Sequence, residues 1–140
     1  MADKQSISGV KQFQLTWQEG RMQVLSEDDH LLRRFGQLDL VRLQPDTRLS
    51  THRQQGADEI WVIVSGAVEL TLTDMREESP TNQAKMEFSL LEENYQGVLI
   101  PFGVKAELSS SDSGMLLRLA THADQLTPLD LIFDISDEVD

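Results

Sequence analysis

The chain has 140 residues, 39% of them hydrophobic and 26% charged, a balance that supports a packed core in one domain and excludes a disordered acidic tail. Its formal charge of −12, from 24 acids against 12 bases, opposes nucleic acid phosphates and anionic lipid, so neither is an expected partner. Cysteine is absent, which removes disulfides and thiolate chemistry, and no stretch approaches the roughly 20 apolar residues of a membrane span; a cytoplasmic protein is expected.

Short apolar and β-branched segments recur between turn signals, at Met22–Leu25, Leu38–Leu43, Glu59–Ser65, Ala67–Thr73, Met86–Leu91, Gly97–Ile100 and Met115–Ala120. Many short strands predict an all-β sandwich or barrel. Val68, Leu70 and Leu72 alternate with Glu69, Thr71 and Thr73, which places one face in a core and one toward water. Ile60 to Val64 is apolar at every position, as in a strand covered on both faces, and Ser65-Gly66 then turns the chain. The polar stretch Asp74–Lys85 reads as an exposed hairpin loop, and Leu91–Gln96 and Ser109–Gly114 as shorter connections. After Thr121 the pattern is mixed, and Asp134–Asp140 is acidic; Leu129, Leu131, Ile132 and Phe133 are candidates to dock on the barrel or on a second subunit.

Two ordered motifs carry a resemblance. Thr51-His52-Arg53-Gln54, then Glu59, then Gly66 resembles the first cupin motif, and Gly97 to Val104, containing Pro101-Phe102-Gly103, resembles the second. The order of segments from about residue 13 to residue 125 is similar to that of WxcM-like proteins and nucleotide-sugar 3,4-ketoisomerases, and more distantly to dTDP-4-dehydrorhamnose 3,5-epimerases. The resemblance implies a single RmlC-like cupin domain over 1–140, a double-stranded β-helix or jelly roll, with a core over 13–125 and an acidic segment over 126–140. It also implies a homodimer assembled through N-terminal strands.

The departures from the motifs bear on chemistry. Metal-dependent cupins use a His-x-His pair, a Glu and a second-motif His, whose positions here hold His52, Gln54, Glu59 and Ala106. An amide oxygen is a poor transition-metal ligand and Ala is none, so no metal and no other cofactor is expected. The ketoisomerase resemblance implies metal-free proton transfer next to a carbonyl, work suited to imidazole. Only His52 of the histidine pair remains, Gln54 replaces the second, and Ala106-Glu107 stands where relatives have His-Glu. The candidate catalytic residues are therefore His52 and Glu59.

Arg42, Arg48 and Arg53 sit in a segment whose only acid is Asp46, a cationic patch suited to the diphosphate of a nucleotide sugar. Trp61 shares a strand face with Glu59 and offers a ring to a sugar or base; Gln54 and Glu107 complete the candidate binding set. Each residue also has a plainer role: His52 as a hydrogen-bonded strand end, Glu59 in a buried ion pair with an arginine, Trp61 as core, and the arginines as a solvated face or dimer contact. Two readings follow, a sugar-nucleotide isomerase or epimerase and a noncatalytic cupin that binds a small anionic or sugar ligand. A divergent metal cupin, with His30 or His122 as further ligands, is the third.

Overall fold

A computed structural model of the chain describes residues 6–26, 30–51, 57–92, 96–122 and 127–128. His52, Arg53 and Gln54, and the C-terminal apolar residues from Leu129 on, lie outside the described residues.

Among the described residues every regular element is a β-strand: β1 (Lys11–Gln14), β2 (Gln37–Leu43), β3 (Thr47–Ser50), β4 (Glu59–Ser65), β5 (Ala67–Asp74), β6 (Lys85–Leu91), β7 (Gln96–Ile100), β8 (Val104–Ser110), β9 (Gly114–Ala120) and β10 (Thr127–Pro128). They form two antiparallel five-stranded sheets, β1-β7-β4-β9-β2 and β10-β3-β8-β5-β6. This is the jelly roll expected from the motifs.

Alternation explains which strands pack between the sheets. In β5 Val68, Leu70 and Leu72 are buried and their neighbours face out; β8 repeats the pattern with Val104, Ala106 and Leu108. Trp61 and Ile63 of β4, Val98 and Ile100 of β7, and Leu116 of β9 close the same core from the first sheet. The other face of that sheet is also covered: Ile60, Val62, Leu99 and Leu119 pack against Phe13, Leu15, Met22, Val24 and Leu25. β4 is thus buried on both faces through Ile63, while Val64 at its end is exposed.

Two details depart from the sequence reading. Met22–Leu25 is not a strand: Met22, Val24 and Leu25 cover the face of the first sheet opposite the inter-sheet core, where their apolar side chains are needed as packing rather than as a paired edge. Asp74 is no loop residue: it is the last residue of β5, fully buried.

Asp74 is held by a ring of donors. Arg76 donates to Oδ1 from its backbone N at 3.0 Å and its Nε at 2.8 Å, and Nη2 reaches Oδ2 at 3.0 Å. Ser79 Oγ and Thr81 Oγ1 each donate to Oδ2 at 2.6 Å. Burial alone would push the carboxyl up, but the Arg76, Ser79 and Thr81 donors outweigh it and hold Asp74 well below the usual carboxylate range. The same Arg76 donates to Ser8 O at 2.6 Å, and Met75 N donates to Gly103 O at 2.9 Å. Gly103 has φ +84° and lies so close to Arg76 that a Cβ would fall 2.3 Å from its Cγ, which is why the Pro101-Phe102-Gly103 turn requires glycine.

Asp74→Ala is expected to cost about 2–3 kcal/mol, since it removes the shared acceptor of the partly buried Arg76, Ser79 and Thr81 donors, and to lower the melting temperature by roughly 8 °C. A folded pKa held below the unfolded one means that this stabilisation is complete above about pH 5 and is lost as pH falls below about 4. Thermal melts from pH 7 to 2.5 on wild type and Asp74→Asn check this: the gap between the two should narrow in acid.

Candidate functional site

The inner face of the first sheet carries one polar row beside its apolar ones. Direct cross-strand partners share a face, and the register places Asp39 of β2 opposite Arg118 of β9, and Arg118 opposite Trp61 of β4. Gln37, Ala120 and Glu59 form the next row toward the barrel end.

Glu59 is fully buried and bidentate to Arg118. Arg118 Nε donates to Oε1 at 2.7 Å and Nη2 to Oε2 at 2.8 Å, while Trp61 Nε1 donates to Oε1 at 2.6 Å. The remaining guanidinium nitrogen, Nη1, lies 3.2 Å from Asp39 Oδ2, which Gln37 Nε2 also approaches. Exposure rises along this chain of charges: the side chains of Glu59 and Arg118 are 0% and 2% exposed, that of Asp39 35%. Among the described residues two carboxylates meet one guanidinium. A buried carboxylate so engaged is an anchor for Arg118 rather than an idle base.

The structure brings together Glu59 and Trp61 and separates the other described candidates. Trp61 is 0% exposed, so both ring faces are inside the protein and its N–H is spent on Glu59. Arg42 and Arg48 are close in sequence but face solvent from different sheets, Arg42 beside Leu38 and Leu40 on β2 and Arg48 opposite Ser109 on β3. Glu107 alternates out of the core on β8 and pairs with Lys105 at 3.7 Å. Ala106 is fully buried among apolar side chains, next to Thr51, which accepts from Ala106 N through Oγ1 at 3.0 Å. His122 meets Thr121 Oγ1 through Nδ1 at 2.9 Å, and that hydroxyl also accepts from Asp58 N.

Sequence reasoning passed over Arg118, Asp39 and Gln37. The available signal was Arg118 itself, a lone charge in the apolar run Met115–Ala120, since a charged residue on such a strand is buried only when paired. The donor set does not suit a metal-cupin centre: Ala106 has no donor atom and Glu59 is occupied by three N–H groups. Among the described residues no three His, Asp or Glu side chains converge as a metal site, and no helix is long and apolar enough to cross a membrane.

No protein-family model matches the chain. It is 29% identical over 82 residues to the spore coat polysaccharide biosynthesis protein SpsL of Bacillus subtilis, an overlap of 59% of this chain. The chain spans about half the length of that curated relative, 54%. Among solved structures it superposes on a dTDP sugar isomerase from Desulfovibrio desulfuricans with TM-score 0.74 and 18% identity, covering 87% of this chain and 84% of that one. It superposes equally, at TM-score 0.74 and 20% identity, on the 3,5-epimerase RmlC of Legionella pneumophila in complex with dTDP-4-keto-L-rhamnose, covering 86% and 70%. The 3'-monoepimerase ChmJ of Streptomyces bikiniensis in complex with dTDP-quinovose gives TM-score 0.71 at 18% identity over 86% and 67%. The fold is the RmlC-like cupin jelly roll.

Breaking the buried pair on one side should be costly. Arg118→Met is expected to destabilise the protein by about 3–5 kcal/mol by leaving Glu59 uncompensated. The double replacement Glu59→Leu with Arg118→Met should recover most of that loss. Urea unfolding of the single and double variants measures it, and additive losses would contradict a coupled pair.

Proposed function

We propose that this protein binds a dTDP-linked keto-hexose between its sheets and catalyses a metal-free proton transfer next to the sugar carbonyl, with His52 as the base. The observation that carries this reading is the occupied state of Glu59. With that carboxylate tied by Arg118 and Trp61, proton transfer falls to the other first-motif candidate, His52, whose side-chain type suits acid–base work near neutral pH. The base removes the proton on the carbon beside the carbonyl and the carbonyl oxygen takes up charge as an enolate; the proton then returns to the same carbon, or to the former carbonyl carbon while the adjacent hydroxyl passes its proton to the enolate oxygen and becomes the new carbonyl. The shared fold with dTDP-sugar isomerases and epimerases, and the relative in spore coat polysaccharide biosynthesis, support a sugar nucleotide as ligand.

One observation favours a second reading, a noncatalytic cupin that binds the same ligand class. Ala106 stands at the second-motif position and is part of the dry core, so no second proton carrier reaches the ligand from β8.

Incubation with dTDP-4-keto-6-deoxyglucose in deuterated water separates the two. Catalysis predicts deuterium uptake beside the carbonyl, seen by proton NMR, unaffected by chelator and reduced about 100-fold or more in His52→Asn. Binding without uptake supports the second reading, and absence of binding to dTDP and to its sugars contradicts both.

A homodimer is part of the proposal. Leu38 and Leu40 are exposed on the outer face of edge strand β2, and Phe35, just before that strand, is exposed as well. Light scattering at micromolar concentration should give twice the chain mass; a monomer would contradict it.

A further inference from the structure

The charge chain that begins at buried Glu59 ends at Asp39, on the edge strand of the first sheet. Val41 and Leu43, two and four residues farther along β2, pack in or against the core between the sheets, so by strand alternation Asp39 points into the same space. Its two oxygens differ. Oδ2 lies against Arg118 Nη1 and Gln37 Nε2, whereas Oδ1 accepts no hydrogen bond among the described residues. With its side chain 35% exposed, Asp39 is the member of the cluster that reaches solvent.

We infer that Asp39 is the hydroxyl acceptor for the hexose unit of the ligand, presented by Arg118 and Gln37 in one fixed orientation; the inference rests on the nucleotide-sugar reading above. A carboxylate with one oxygen pinned and the other open suits a hydroxyl donor, and O–H to carboxylate bonds are short and about twice as strong as neutral ones. The partly exposed Asp39 carboxylate is a poor neighbour for phosphate, so it suits the sugar end of the ligand rather than the diphosphate. Glu59 and Arg118 then serve as positioning residues. Arg118 cannot turn from Asp39 without breaking its two bonds to Glu59, and this keeps the Asp39 carboxylate aimed at the ligand. Asp39 thereby sets specificity for the sugar over the bare nucleotide.

Calorimetric titration of wild type and Asp39→Asn with dTDP and with dTDP-glucose tests this. Wild type should bind dTDP-glucose more tightly than dTDP. Asp39→Asn should weaken dTDP-glucose about tenfold, erasing most of the difference, while dTDP binds within about twofold of wild type. Retained dTDP affinity shows that the variant is folded, and Asp39→Ala should behave alike. An undiminished preference for dTDP-glucose in Asp39→Asn would overturn the inference and leave the nucleotide-sugar reading standing, as would equal wild-type affinity for the two ligands. Loss of dTDP binding in both variants would also overturn it, by making Asp39 a structural residue. Wild type that binds neither ligand would overturn the nucleotide-sugar reading and this inference with it.

Discussion

The bidentate bond between Arg118 and Glu59 is the constraint around which the interior is arranged. It crosses from β9 to β4 at the centre of the first sheet, fixes the Trp61 ring through Nε1, and extends through Nη1 to Asp39 on β2. Three strands are thereby held in one register by directional bonds as well as by apolar packing. A guanidinium alone in this core would be prohibitive, and so would the Glu59 carboxylate without it. The arrangement also decides what Glu59 can do. A carboxylate that accepts three N–H groups in a closed site orients its neighbours and leaves proton transfer to others.

The surviving cupin positions divide between that interior and the turns that frame it. Gly66 turns β4 into β5 at φ +90°, where a Cβ would sit 2.9 Å from Ser113 O. Gly103 lies on Arg76, which binds Asp74 and the N-terminal Ser8, so the second motif is a joint between the hairpin after β5 and the start of the chain. Both glycines serve the backbone, and their retention alone carries no chemistry.

Much of the fold was legible because its central strands obey simple periodicities. The alternation of β5 and the continuous apolar run of β4 each follow from which faces are covered. β3 and β8 were harder, since polar residues such as Thr47, Arg48, Ser50, Lys105 and Glu107 dilute the apolar signal and Ser109-Ser110 resembles a loop. The site was less legible for a different reason. Glu59 and Arg118 are 59 residues apart, and Asp39 and Arg118 are 79 apart, so only the sheet order brings them together. Proximity in sequence misled in the opposite direction for Arg42 and Arg48, which a turn at residues 44–46 sends to different sheets. Glu107 looked like part of a binding motif, but the alternation of β8 turns it outward to Lys105.

The central claim is that Glu59 serves to hold Arg118 and that the polar row meets its ligand at Asp39. A crystal structure of the protein with dTDP-glucose tests it most directly. A hexose hydroxyl should lie on Asp39 Oδ1, with Arg118 still bidentate to Glu59 and Trp61 still donating to it. A hexose bound directly to Glu59, with the Arg118 pair opened to admit it, would overturn both roles.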